Sequence, residues 1–129
     1  MVARILVVDD NEQNRYVMMH SLRNPEWKVE ECGTGSEALQ RVKSLPDLVI
    51  LDMRLPDMPG YEVCRRIKQD PLTREIPILQ VSAYVGEQGK AASQNAGADA
   101  FLVHPLYPDV LVDVVKSLLA KRQEQRKPQ

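Results

Sequence analysis

Three aspartates, a serine and a histidine carry the chemistry this sequence offers. Asp9 and Asp10 follow the apolar run Ile5-Leu6-Val7-Val8, and Asp52 follows Leu48-Val49-Ile50-Leu51. Ser82 comes after Ile78-Leu79-Gln80-Val81, and His104-Pro105 after Phe101-Leu102-Val103. Taken one at a time these residues have bland explanations: an aspartate after a strand is often a helix cap or turn residue, a serine a turn residue, a histidine before proline a structural one. Their common position is the signal, because open α/β sheets bind ligands beyond the carboxyl ends of their strands. Three carboxylates in one pocket repel, and a hard divalent cation or a raised pKa on one member relieves them. Magnesium is the sharper reading. Beside such a cation an aspartate can attack phosphorus, since the metal neutralises the equatorial oxygens and the rest of the task is positioning. Ser82 could then hydrogen-bond one phosphoryl oxygen, and a cation after the fifth run could pair with another.

The elements that must bring these residues together follow from periodicity. Short apolar runs alternate with stretches of helical spacing, the pattern of a parallel sheet covered on both faces. The second run, Trp27-Lys28-Val29-Glu30-Glu31-Cys32, is charged in the manner of an edge strand. Asn11 caps a first helix reaching about Arg23. Thr34-Gly35-Ser36-Glu37 opens a second, with Ala38, Val42 and Leu45 on one side. Pro59-Gly60 precedes a third, with Val63, Cys64 and Ile67 at i, i+1 and i+4, which stops at Asp70-Pro71; a Gly- and Ala-rich fourth runs from about Glu87 to Asn95. Pro108 starts the fifth, where Leu111, Val114, Val115 and Leu118 recur at helical spacing. Five βα units with right-handed connections predict a doubly wound, flavodoxin-like parallel sheet of five strands in the order 2-1-3-4-5, with five helices in a single domain. An eight-stranded barrel would need about twice the residues.

Composition narrows the function classes. The chain has 129 residues, 43% hydrophobic and 27% charged, enough for one core and no second domain. Cys32 and Cys64 lie far apart in mostly apolar segments and read as small buried hydrophobes of a reducing compartment. No apolar run approaches the ~18 residues of a membrane span, and Met1-Val2-Ala3-Arg4 leads into a strand without a signal-peptide core. A cytoplasmic location is the expectation. Acidic residues number 18 and basic ones 17, so no nucleic-acid binding is expected of this domain.

In this order and spacing the residues resemble the response-regulator receiver domains of two-component phosphorelay signalling. The likeness covers essentially the whole chain. Its most specific stretch is Asp52-Met53-Arg54-Leu55-Pro56-Asp57-Met58-Pro59-Gly60, which looks like the family's phosphoacceptor loop; Val81-Ser82-Ala83 and Ala96-Gly97-Ala98-Asp99-Ala100-Phe101-Leu102 are also similar to the family pattern. The resemblance implies that Asp52 accepts a phosphoryl group from a sensor histidine kinase or histidine phosphotransfer protein. It assigns Mg2+ to Asp9, Asp10, Asp52 and the backbone carbonyl of Arg54. Ser82 becomes the switch hydroxyl and Phe101 the aromatic whose rotamer follows it, remodelling the face formed by the fourth helix, fifth strand and fifth helix. Arg54 and Tyr84 flank the path of attacking water and tune the lifetime of the phosphoryl group.

One residue departs from the pattern: His104 stands where the family has lysine before the proline, which is usually joined by a cis bond. Imidazole is shorter than a lysine side chain and loses its charge near neutral pH. The expectation is phosphorylation that is weaker and pH-dependent; the alternative is a pseudo-receiver that works by protein contact with weak or no phosphorylation. A magnesium-dependent phosphatase would want an acid where Arg54 stands, and Asp9-Asp10-Asn11-Glu12 would repel the phosphate of a flavin. A switch with self-catalysed transfer and hydrolysis, not an enzyme, is therefore expected. The apolar residues of the fifth helix span about 200° of its circumference, which makes a homodimer through the face containing that helix a candidate arrangement. Residues 1–121 read as the receiver and 122–129 as a charged tail or linker. Stand-alone protein and piece of a longer regulator or hybrid kinase are both compatible with this reading.

Overall fold

The computed structural model describes residues 2–83 and 86–126. Strands β1 (Ala3–Val8), β2 (Trp27–Cys32), β3 (Leu48–Asp52), β4 (Ile78–Ser82) and β5 (Ala100–Val103) alternate with helices α1 (Glu12–Ser21), α2 (Gly35–Arg41), α3 (Gly60–Gln69), α4 (Gly86–Asn95) and α5 (Pro108–Arg126). The strands pair in parallel in the order β2-β1-β3-β4-β5, the flavodoxin-like arrangement expected, with the charged run at an edge.

Alternation along the strands divides the core in two. Leu6, Val8, Val49, Leu51 and Ile78 face Ala38 of α2 and Val63, Cys64 and Ile67 of α3. Ile5, Val7, Ile50, Leu79 and Val81 face Met18 of α1 and Leu111, Val115, Leu118 and Leu119 of α5. A sheet buried on both sides needs apolar residues at successive positions, which is why β1 and β3 read as unbroken runs and β4 as a run interrupted only by the buried Gln80. Both cysteines are free and buried.

Capping fixes where two helices begin. Asn11 accepts from the Asn14 backbone N–H at 2.9 Å at the start of α1, and Thr34 accepts from Glu37 N–H at 3.1 Å at the start of α2. One expectation is corrected. Leu45 does not continue the apolar side of α2: the α-helix stops at Arg41, a 3-10 turn covers Val42–Ser44, and Leu45 is left-handed with φ 59° and exposed. Pro46 follows it, and a residue before proline is driven out of the helical region. The fifth helix continues through Arg126, with Arg122 buried. Arginine and glutamine are good helix formers, and the Arg122 stem can lie along apolar surface. Most of the wide apolar stripe of α5 is covered by the sheet and its neighbours, leaving Val110 47% exposed.

Candidate functional site

Strand register assembles the site. Val8 pairs with Leu51, which sets Asp9 beside Asp52; Asp52 pairs with Val81, and Ser82 with Val103, which sets Ser82 beside His104. Backbone bonds carry the pairing past the strand ends: Asp9 N–H donates to the Cys32 carbonyl at 3.1 Å, Met53 N–H to Val81 at 3.0 Å, and His104 N–H to Ser82 at 2.7 Å. The result is a cleft of about 320 Å³ lined by Asp9, Asp10, Asp52, Arg54, Ser82 and His104, among others.

Carboxylate oxygens of Asp9, Asp10 and Asp52 all lie within 4.8 Å of one another. Asp9 is fully buried; its Oδ1 accepts from the Asn11 N–H at 2.8 Å, while its Oδ2 is enclosed without a hydrogen bond. Burial raises the Asp9 carboxyl above its usual range, and the Asn11 N–H, then Asn14, oppose that. Burial also pushes Asp52 up to about 6, aided by the charge of Asp9 and resisted by the Arg54 N–H. Three mutually repelling oxygens, one of them orphaned in the interior, suit a hard divalent cation, which takes oxygen ligands and favours the ionised form of each. The residues present therefore fit magnesium.

The loop after Asp52 forms one wall. It folds back so that Arg54 bridges to Pro59 and Gly60 N–H donates to the Met53 carbonyl at 2.8 Å. Farther along, the Asp57 carboxylate accepts from the backbone N–H groups of Gly35 and Ser36, both at 2.8 Å. From the other side, the Arg15 guanidinium of α1 donates to the Asp9 carbonyl at 2.6 Å and pairs with Glu31 of β2 at 3.3 Å.

Six of the residues singled out from sequence thus share one cleft. His104-Pro105 is joined by a cis bond, as expected from the resemblance, and the His104 Nε2 is enclosed without a hydrogen bond. Phe101 is half-buried within β5, in register with Gln80 rather than at the strand ends. Tyr84 lies outside the described residues. Sequence reasoning missed Asn14, which lines the cleft, and the supporting roles of Arg15 and Asp57. Asn14 sits one turn into a helix whose cap was recognised, so that spacing could have pointed to it.

The response regulator receiver domain model matches residues 5–116. The chain is 38% identical over 119 residues to the response regulator PleD of Caulobacter vibrioides, an alignment covering 92% of this chain and 26% of PleD. It therefore spans about a quarter of that relative's length. Among solved structures, a putative response regulator from Chloroflexus aurantiacus superposes with a TM-score of 0.88 at 38% identity, covering 93% of this chain and 99% of that one. The receiver domain of the sensor histidine kinase PA1611 from Pseudomonas aeruginosa, solved with a magnesium ion coordinated in its active site cleft, gives 0.85 at 25% identity, covering 93% and 99%. The matched span includes every strand end that meets in the cleft, and on that ground the chain belongs to the response regulator receiver domain family.

Proposed function

We propose that this receiver domain accepts a phosphoryl group on Asp52 from the phosphohistidine of a histidine kinase or phosphotransfer protein, with Mg2+ bound, and thereby switches a partner-binding face. The observation that carries the reading is the placement of Asp52, raised to about 6 and packed among the oxygens of Asp9 and Asp10 in a cleft that also contains a hydroxyl and an imidazole. An Asp52 oxygen forms the new bond to phosphorus while the bond from phosphorus to the donor imidazole nitrogen breaks, and that nitrogen keeps the electron pair. Asp9, Asp10, Asp52 and the Arg54 carbonyl would hold the magnesium, which neutralises developing charge on the phosphoryl oxygens. Ser82, bonded through its own carbonyl to the His104 N–H, would donate its hydroxyl to one of those oxygens, and His104 to another.

Downstream of that event, Ser82 and Phe101 would relay the change to the face built by α4, β5 and α5, where Val103 and Val110 are both 47% exposed and serve as contacts for a partner or a second copy. Arg54, exposed at the cleft wall, would slow loss of the phosphoryl group by shielding it. No helix among the described residues is long and apolar enough to cross a membrane, in keeping with a cytoplasmic module.

The test is incubation with magnesium and acetyl phosphate, read by intact mass, with Asp52→Asn alongside. A phosphate-sized gain that disappears in the variant supports the reading. No gain together with no magnesium binding sinks it and favours a pseudo-receiver acting by contact, a reading that the enclosed, unpaired Nε2 of His104 keeps in view. Magnesium binding without gain locates the defect at His104, where His104→Lys should restore it.

A further inference from the structure

The wall of the cleft formed by residues 54–56 is held from behind by a residue that does not line it. Asp57 turns away from the cleft and spans the first two N–H groups of α2, one carboxylate oxygen on Gly35 and the other on Ser36, each at 2.8 Å. Thr34 takes the third, from Glu37, with its own hydroxyl. Helix starts leave such donors without intrahelical partners, so the loop supplies what α2 lacks and α2 supplies a fixed point for the loop. Packing reinforces the tie. Met58 lies so close to Gly35 that a methyl on that glycine would meet its Cγ at 2.7 Å. The two N–H groups also draw the exposed Asp57 carboxyl down to about 2, so the bonds are made to the ionised form throughout the ordinary pH range.

We infer that Asp57 is a positioning residue for the cation pocket: by clamping residues 54–56 against the start of α2, it sets the place of the Arg54 carbonyl. This rests on the proposed function, which gives that carbonyl to magnesium. A segment that closes on itself at Arg54 and Pro59 keeps its internal shape but still needs an outside anchor to hold it at a fixed distance from Asp9 and Asp10. Asp57 provides that anchor across the boundary between the β3-to-α3 loop and α2.

The experiment compares Asp57→Ala, Asp57→Asn and Thr34→Ala in the full chain by Mg2+ titration calorimetry and by amide exchange over residues 53–56. Thr34→Ala is the control, since it strips a cap from the same helix without touching the loop. Asp57→Ala should weaken Mg2+ binding about tenfold, the scale of outer-shell substitutions at metal sites, and speed exchange over 53–56. Asp57→Asn should fall between, because an amide keeps one acceptor oxygen and loses the charge. Thr34→Ala should lower the melting temperature and leave Mg2+ affinity within about twofold of the wild type. Equal affinity in Asp57→Ala and wild type overturns the inference, as does equal weakening by Thr34→Ala, which would make α2 stability the cause. Wild-type protein that takes no Mg2+ brings down the phosphoacceptor reading and this inference with it, an outcome plainly different from undiminished binding in the variant.

Discussion

Gly60 and Asp52 meet through their backbones: a methyl group added to Gly60 would stand 2.0 Å from the Asp52 carbonyl oxygen and 2.8 Å from the Met53 α-carbon. Helix α3 therefore starts directly against the strand end that carries Asp52, in contact with atoms that cannot swing aside as a side chain can. Moving them means shifting the strand end. Gly60→Ala should cost about 3 kcal/mol or more, beyond ordinary overpacking because the obstacle is main chain, and should abolish phosphorylation in whatever protein folds. Urea unfolding followed by circular dichroism reads the first effect and intact mass after acetyl phosphate the second. A variant of near wild-type midpoint that still takes up phosphate would show that α3 can retreat freely.

A raised carboxyl pKa makes the site a source of instability at neutral pH. Asp52 titrates at about 6 in the fold against about 4 in an unfolded chain, so between those values the folded state keeps a proton that the unfolded state has lost. Stability contributed in this way falls as pH rises through that window, and the full penalty is present above about 6. Because Asp52 is partly exposed, solvent screening trims the penalty to the order of 1 kcal/mol. Asp52→Asn should accordingly raise the melting temperature at pH 8 by about 3 °C and change it little at pH 4. Magnesium should stabilise the wild type at pH 8 and the variant much less. An equal shift at both pH values would mean that the gain comes from packing rather than from charge.

Burial pushes the thiols of Cys64 and Cys32 up to about 12 and about 11. Cys64 also donates to the Ala96 carbonyl at 3.6 Å. Since the thiolate is the reactive form, neither residue should be alkylated by iodoacetamide at pH 8 while the protein is folded, and both should react once it is unfolded in guanidinium. Mass spectrometry of the two samples checks this. Prompt single labelling of the native chain would show that one face of the sheet opens locally.

What could be read from the sequence is what burial alone dictates. A doubly covered strand is apolar at nearly every position, so the polar residue that closes each run marks its end; Asp9, Asp52, Ser82 and His104 were found that way despite the buried Gln80 inside β4, and register then brings them together. Contacts that depend on which loop settles against which helix left no periodic trace. Asp57 reaches the start of α2 across 22 residues, and Arg15 reaches the Asp9 carbonyl from the first turn of α1 while pairing with Glu31 of β2 at 3.3 Å. The end of α2 was misjudged for a similar reason: Leu45 fits the apolar spacing, but the conformational restriction from Pro46 outweighs it.

His104 poses the sharpest chemical question. Its backbone is fixed by the 2.7 Å bond to Ser82, so its side chain springs from a set point, and an imidazole extends less far from that point than a lysine would. A lysine from the same point would bring a full, compact charge deeper into the cleft. His104→Lys should therefore raise the phosphorylation yield, by up to about tenfold if the added charge-assisted hydrogen bond is worth ~1.4 kcal/mol. His104→Ala should lower it, because the enclosed Nε2 that would meet a phosphoryl oxygen is gone. Intact mass after acetyl phosphate, taken for all three proteins at one pH above about 6 so that Asp52 is ionised alike in each, reads both effects. Equal yields in the three would mean that His104 takes no part in holding the phosphoryl group and that Ser82 and the cation suffice.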